Sequence, residues 1–306
     1  MISSFEELRT TANKRGLKIS DIALAEQIAD SEVTEEGALA KMAVALDTML
    51  DSISNGCRPD IKSVSGLTGG NAYKMQVQID KGKTVMGPLI SNAIKMALAV
   101  AETNAAMGKI VAAPTAGSCG ILPGALGALI QERGVSKEAA VKALFTAGEV
   151  GLIIANNASI SGAEGGCQAE CGTASAMAAA AIVELSGGSV DMCINAVAIT
   201  IKCILGLVCD PVAGLVEVPC VKRNASGVTL AFTAAEMALA GITSVIPADE
   251  VVHVMKRVGQ SLPASLRETA EGGLAATQTG KQLHTDIFKK LSARHACRMC
   301  NNCKSN

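Results

Sequence analysis

The stretch TASAMAAAAIVEL, residues 173–185, decides the fold class of this chain. Alanine has the highest helix propensity and loses almost no side-chain entropy in a helix, so the run predicts a helix. The whole chain of 306 residues shares this character, with four Phe, one Tyr and no Trp. Small side chains let helices approach closely, whereas a sheet sandwich favours aromatic and β-branched residues. We therefore predict a mainly α protein, a compact bundle of Ala-rich helices.

Helix-start signals recur along the sequence. Ser4 with Glu7 has the pattern of a capping box, and Pro88 suits the first turn of a helix that ends near residue 108. The apolar pattern of residues 71–79 fits either a strand or a helix, and we favour the helix. Further N-cap candidates are Ser20, Thr34 and Ser136.

Glycine-rich turns separate the predicted helices, and we expect the active site where they meet. They lie at residues 66–70, 115–120, 162–166, 210–214 and 272–273. We divide the chain into a helical N-terminal segment (1–60), a catalytic domain (61–290) and a Cys-rich C-terminal tail (291–306).

Charge and hydropathy exclude several classes of partner. The formal charge is −1, from 27 basic and 28 acidic residues, with no basic stripe, so we expect neither nucleic acid nor an anionic membrane as a partner. The longest uncharged stretch, residues 110–131, is interrupted by Pro114 and Pro123, and the apolar stretch 190–208 contains Asp191 and Lys202. We predict no transmembrane segment. The chain has eleven cysteines, and its amino terminus is charged. Together these features predict a cytoplasmic protein with reduced thiols.

Three cysteines lie in glycine- or proline-marked settings. They are Cys167 in GAEGGCQAE, Cys209 in LVCDPVAG and Cys220 in VEVPCVKRN. Three separated thiolates would leave one position of a metal centre uncommitted, which suits chemistry better than scaffolding. From these residues alone, an iron-sulfur cluster, a zinc ion and simple buried thiols all remain open.

The other cysteines give weaker signals. We assign Cys57, Cys171, Cys193 and Cys203 to packing and leave Cys119, in a glycine turn, open. The tail contains Cys297, Cys300 and Cys303 with Cx2Cx2C spacing, which is typical of half a ferredoxin or of a zinc knuckle.

The loop PTAGSCG, residues 114–120, precedes a helix predicted to start near Leu122. Its backbone N–H groups and the hydroxyls of Thr115 and Ser118 would favour a carboxylate or a phosphate. Lys222, Arg223 and Asn224 follow Cys220 directly. A guanidinium there could bind a carboxylate through two hydrogen bonds.

The strings APTAGSCGILPGAL (112–126), EGGCQAE (164–170), CDPVAGLVEVPCVKRN (209–224) and LPASLRETAEGGLAAT (262–277) resemble the alpha chain of the iron-sulfur-dependent L-serine dehydratases. The resemblance covers about residues 66–279. It includes the family's ligand spacings, 42 residues from Cys167 to Cys209 and 11 from Cys209 to Cys220.

The resemblance implies a [4Fe–4S] cluster held by Cys167, Cys209 and Cys220. It implies an enzyme of amino-acid degradation that deaminates L-serine to pyruvate and ammonia. The loop with Thr115 and Ser118 would lie near the bound amino acid. Arg223 and Asn224 would act at the site, with Asn71, Glu164 and Arg267 as weaker candidates around it.

The resemblance also bears on the remaining cysteines and on the proton acceptor. In some single-chain relatives a carboxy-terminal cysteine fills the open iron, so one of the three tail cysteines is a candidate for this role. Cys171 departs from the family pattern, where a small apolar residue usually follows CQAE. A second, beta part of the family supplies a Ser-Ser-Ser-His-Thr motif that this sequence lacks. We therefore expect the base from a separate beta chain, and we interpret His253, His284 and His295 as structural.

Four alternatives stay open. A PLP-dependent dehydratase would use Lys74, which follows GGN, but would leave the three cysteine turns without a role. An iron-sulfur L-cysteine desulfidase would need the same open iron and differ in the leaving group. A non-catalytic metal-binding or electron-transfer subunit would favour four complete ligands. The last alternative is a purely structural helical protein.

Overall fold

A computed structural model describes residues 2–289 of the chain, and in this part the structure is mainly helical. No β-strand occurs within residues 2–289, where the only strand-like pairing is one isolated bridge between Cys209 and Arg267. The predicted mainly α class is confirmed. The helices are α1 (Phe5–Arg15), α2 (Ile19–Ser31), α3 (Glu35–Gly56), α4 (Asn71–Asp80), α5 (Pro88–Ala105), α6 (Ile121–Arg133), α7 (Lys137–Asn157), α8 (Gly162–Gly165), α9 (Cys167–Leu185), α10 (Val190–Ile204), α11 (Cys220–Leu239), α12 (Ala248–Ser261) and α13, which runs from residue 278 to 289, the last described residue.

Local sequence signals set several helix starts. Ser4, Thr34 and Ser136 accept backbone N–H groups at the first turns of α1, α3 and α7, and Pro88 is the first residue of α5. Residues 71–79 are helical as predicted. Helix α5 ends at Ala105, three residues before the predicted end.

The prediction of Ser20 as an N-cap is wrong. Helix α2 begins at Ile19, and its first N–H groups are satisfied from a distant part of the chain. The carboxylate of Glu184, near the end of α9, accepts the N–H groups of Ile19 at 3.1 Å and Ser20 at 3.3 Å. A cap supplied by tertiary packing has no signature in the sequence around the helix start.

Helix α9 contains the Ala-rich run and is the centre of the bundle. It packs against α6, α7, α10 and α11, and its residues from Cys171 to Ile182 are all buried. Because half of these side chains are the methyl groups of alanine, the neighbouring helices can approach the α9 backbone closely. The helix extends two turns before the Ala-rich run, to Cys167, so the central helix of the core begins at a predicted metal ligand.

A second, smaller hydrophobic cluster lies apart from the main core. Val212 and Ala213 pack there with Ile287 of α13, and partly buried leucines surround them. This cluster joins the turn after Cys209 to the last described helix. The turn that follows Cys209 is therefore packed between the main core and this smaller cluster. The buried apolar residues of α1–α3 belong to the main core.

Of the helices described between residues 2 and 289, none has both the length and the hydropathy required to cross a bilayer. Helix α10, the apolar candidate, ends at Ile204 after 15 residues.

Candidate metal centre

Two of the three predicted ligands are the first residues of helices. Cys167 begins α9 after Gly166, whose φ of 76° favours glycine, and Cys220 begins α11. Both thiols therefore lie at the partially positive end of a helix, which stabilises a thiolate or an anionic cluster. Cys209 is fixed by its backbone, since its N–H donates to Leu266 at 2.8 Å and its carbonyl accepts from Glu268 at 2.8 Å. All three are buried.

Arg223 links the turns of Cys167 and Cys209 to α11, the helix that Cys220 begins. One guanidinium nitrogen donates to Sγ of Cys167 at 3.3 Å and to the carbonyl of Val208 at 2.8 Å. The other donates to Oδ1 of Asp210 at 2.8 Å, within an ion pair whose side chains are 15% and 5% exposed. The carboxylate that Arg223 binds in this structure is therefore that of Asp210, a residue of the chain itself, and not that of a ligand. The position of Arg223, one turn after Cys220 on α11, ties all three cysteine turns together.

The thiols strongly influence one another. The neighbouring Cys171 and Cys209 thiols, together with the Arg223 guanidinium, lower the pKa of Cys167 to about 3 against the effect of burial. The negative Cys167 then raises the pKa of Cys209, with burial adding to the effect. Burial, with Cys167 adding to it, raises the pKa of Cys220 to about 12. Because the pKa values of Cys209 and Cys220 are raised, a metal that binds these cysteines must displace thiol protons.

Asn224 fixes the glycine loop beside the thiols. Its amide donates to the carbonyl of Gly117 at 2.7 Å and to that of Cys220 at 2.9 Å, while its oxygen accepts the N–H of Gly120 at 2.8 Å. The side chain is 1% exposed. These contacts place Asn224 as a link between α11 and loop 114–120. Helix α6 begins at Ile121, directly after this loop and one residue before the predicted start.

The two predicted hydroxyls of this loop differ in position. The Thr115 and Ser118 oxygens are 3.1 Å apart, but Ser118 is fully buried whereas Thr115 is half-buried. The Thr115 hydroxyl donates to Oε1 of Glu170 on α9. Thr115 is therefore the hydroxyl of this loop that faces the thiol centre.

Glu170 and Cys171 belong to the site, although sequence reasoning gave neither a role there. A carboxylate oxygen of Glu170 and the Sγ atoms of Cys167 and Cys171 lie within 4.8 Å of one another. Burial raises the pKa of Glu170 to about 7. The signal was the spacing in CQAEC, since residues three and four apart share a helix face. The prediction that Cys171 serves packing alone omitted these contacts.

The loop 262–277 closes the other side of the centre through Asp210. The second oxygen of Asp210 accepts the N–H of Leu274 at 2.8 Å. Gly273, with φ of 55°, lies so close to Asp210 that a Cβ atom there would collide with the carboxylate. Arg267, a weaker candidate, is joined to the centre by the backbone bridge between its segment and Cys209.

The remaining candidates lie elsewhere. Asn71 donates to the buried Glu102 at 2.6 Å, at the start of α4. Glu164, Lys74, Lys222 and His253 are exposed, and the ring of His284 stacks on Phe288 with centroids 4.5 Å apart. An exposed Lys74 does not offer the enclosed pocket that a Schiff-base lysine needs. His295, Cys297, Cys300 and Cys303 lie outside the described residues.

Three of the cysteines assigned to packing or left open behave as buried hydrophobic residues, and one does not. Cys119 and Cys193 are buried, and Cys57 is partly buried against the core. Cys203 is exposed, so its assignment to packing is wrong. It follows Lys202 in the last turn of α10, on the side of the helix that faces solvent.

We predict that Gly117→Ala will disturb the site. A Cβ at residue 117 would lie 2.5 Å from Oε1 of Glu170, so the loop or the carboxylate must shift. We expect a loss of about 1–3 kcal/mol in unfolding free energy, measured by urea denaturation. The matched control is Gly148→Ala in α7, where an added Cβ meets nothing within 4 Å; it should be neutral or slightly stabilising. Equal stabilities of the two variants would contradict this prediction.

The fold and site define an all-helical protein with a buried thiol centre beside a glycine loop. The sequence profile of the family described as "Serine dehydratase alpha chain" matches residues 14–275. This chain belongs to that family.

Similar proteins agree with this assignment. The chain is 51% identical over 288 residues to a "Probable L-serine dehydratase, alpha chain" of Bacillus subtilis (strain 168), covering 94% of this chain and 96% of that one. It is 44% identical over 290 residues to the "L-serine dehydratase, alpha chain" of Peptoniphilus asaccharolyticus, covering 95% and 99%. It is also 38% identical over 275 residues to the "L-serine dehydratase" of Streptomyces coelicolor, covering 88% of this chain and 60% of that protein.

Proposed function

We propose that this chain is the alpha chain of an iron-sulfur-dependent L-serine dehydratase, an L-serine ammonia-lyase. The reaction is β-elimination of water from L-serine, after which the aminoacrylate product takes up water and yields pyruvate and ammonia. The observation that carries the proposal is the arrangement of Cys167, Cys209 and Cys220. The Cys167 and Cys209 thiols are hydrogen-bonding neighbours, Arg223 donates to Sγ of Cys167, and Cys220 begins the helix that carries Arg223.

The residues present fit a [4Fe–4S] cluster. Thiolates are its usual ligands, two helix N-termini and a guanidinium favour its negative charge, and three ligands leave one iron open. When bound, such a cluster supplies a Lewis acid for the departing hydroxyl of serine. The same three thiols would also accept zinc, so metal identity is part of the test below.

The chain's own residues would bind and orient the substrate. The backbone N–H groups of loop 114–120 suit the serine carboxylate. The Thr115 hydroxyl donates to Glu170, so towards the substrate it would offer its oxygen as an acceptor. Ser118 and Asn224 hold the loop from within, and Arg223 donates a hydrogen bond to Sγ of Cys167.

We also propose that a separate beta chain completes the site and supplies the general base. Two of the relatives above carry the printed name alpha chain, and this chain matches only 60% of the Streptomyces coelicolor protein. Within residues 2–289, His253 and His284 are both exposed, and the ring of His284 contacts Phe288. His295 lies outside the described residues. The complex would work in the cytoplasm, with no nucleic acid or membrane as partner.

The test is an anaerobic preparation of the chain, analysed for iron and zinc and by absorbance and EPR spectroscopy with and without L-serine. We expect about four irons per chain and a spectrum that shifts with L-serine but not with D-serine. Zinc alone, or no metal, would overturn the cluster mechanism.

Activity is then measured with and without the beta chain, on L-serine, L-threonine and L-cysteine. Deamination that needs both chains and prefers L-serine supports the proposal. Full activity of the alpha chain alone would overturn the proposed role of the partner, and preference for L-cysteine would favour the desulfidase alternative.

A further inference from the structure

The surroundings of Cys171 differ from those of the other buried cysteines outside the predicted ligand set. Sγ of Cys193 lies 3.6 Å from the carbonyl of Ala180, and Sγ of Cys119 lies 4.0 Å from that of Val100. Both are ordinary contacts of a thiol inside a helix bundle. Cys171 instead has a thiol and a carboxylate as its polar neighbours, Cys167 and Glu170.

The position of Cys171 on α9 places it inside the candidate centre. It lies one helical turn after Cys167, on the same face, and is 1% exposed. The third member of the group, Glu170, accepts the hydroxyl of Thr115 from loop 114–120. The Cys171 thiol is therefore next to a predicted cluster ligand and next to the carboxylate that contacts the proposed substrate loop.

The geometry of this group suits a metal centre. The Sγ atoms of Cys167 and Cys171 and a carboxylate oxygen of Glu170 all lie within 4.8 Å of one another. Thiolates are the usual ligands of an iron-sulfur cluster, so a second thiol this close to a predicted ligand is placed to bind the same centre.

We propose that Cys171 is a fourth thiol ligand of the centre, which occupies its open position when no substrate is bound. The inference rests on the proposed cluster. Ligation releases the thiol proton of Cys171 and forms one iron–sulfur bond. Substrate binding reverses both events, so L-serine competes with an internal ligand contributed by the same helix as Cys167.

Ligation by Cys171 would slow the loss of iron from the cluster on oxidation, which can be measured without enzyme activity. A cluster with three protein ligands loses its fourth iron readily on mild oxidation, whereas four thiolates retain it. The substrate-free wild-type chain should therefore keep about four irons, and a chain without the Cys171 thiol should give the EPR signal of a three-iron cluster.

The experiment compares the full-length wild-type chain with Cys171→Ala and with the control Cys193→Ala, which removes an equally buried thiol remote from the site. Each is reconstituted anaerobically without substrate and titrated with ferricyanide, followed by EPR and iron analysis. We expect conversion to the three-iron form to be at least about tenfold faster in Cys171→Ala than in the other two, since even outer-shell partners change metal affinity by about that factor. Cys171→Ser, which keeps an oxygen ligand, should fall between them.

Two results would overturn the inference while leaving the proposed function intact. One is the same rate of iron loss in the wild-type chain and Cys171→Ala. The other is a strong three-iron signal from the wild-type chain itself, a result that needs no variant to fold. Failure of the wild-type chain to bind iron at all would overturn both the inference and the proposed function.

Discussion

Replacing Cys209 with alanine will reduce the iron content of the reconstituted chain from about four atoms to fewer than about one, and deamination will fall to background. Cys209 is the one predicted ligand that no helix supplies. Its segment is held by backbone hydrogen bonds to Leu266 and Glu268, which the substitution leaves in place. We therefore expect an intact fold without a cluster, rather than an unfolded chain.

Circular dichroism, iron analysis and activity with the beta chain check this prediction. The control is Cys203→Ala, which removes an exposed thiol in the last turn of α10 and should leave all three readouts unchanged. Normal iron content in Cys209→Ala would remove Cys209 from the ligand set.

Replacing Arg223 with methionine will have the largest effect on stability. The substitution leaves Asp210, which is 5% exposed, without its guanidinium partner and the carbonyl of Val208 without its donor. Breaking one side of a buried ion pair costs about 3–5 kcal/mol, because the remaining charge stays desolvated. We expect a loss of that size in the unfolding free energy of the metal-free chain, measured by urea denaturation.

A second substitution separates this cause from simple loss of packing. Adding Asp210→Asn removes the unpaired charge, so the double variant should regain part of the stability lost in Arg223→Met. Arg223→Lys keeps one charge but not the planar fork, and should fall between the wild-type chain and Arg223→Met. Strictly additive losses in the double variant would show that the two side chains are not coupled.

Much of the fold was predictable because its signals are local. Alanine content predicted the central helix, and side-chain caps at Ser4, Thr34 and Ser136 marked helix starts. The start of α2 was not predictable in this way, because the carboxylate that caps it comes from Glu184, more than 160 residues away in sequence.

The candidate site divides in the same way. The glycine and proline settings of Cys167, Cys209 and Cys220 were visible in the sequence. In the structure, Arg223 contacts Cys167 and the segment around Cys209 from the helix that Cys220 begins. The wrong assignment of Cys203 and the omission of Glu170 have one cause. Which face of a helix meets solvent and which meets a distant loop depends on the packing of other helices, and helical spacing alone does not state it.

The sequence by itself determined the helical class, the positions of the glycine turns and the identity of the thiols, because propensity, turn chemistry and metal-ligand chemistry belong to single residues and short segments. Only the tertiary structure decided that Arg223 pairs with Asp210, that Asn224 holds the loop of Thr115, and that Cys171 adjoins Cys167 and Glu170. Arg223 and Asp210 are 13 residues apart, and Asn224 and Gly117 are 107 residues apart, so neither relation follows from the spacing within one helix. Their distances are fixed by close packing around α9 and not by any local preference.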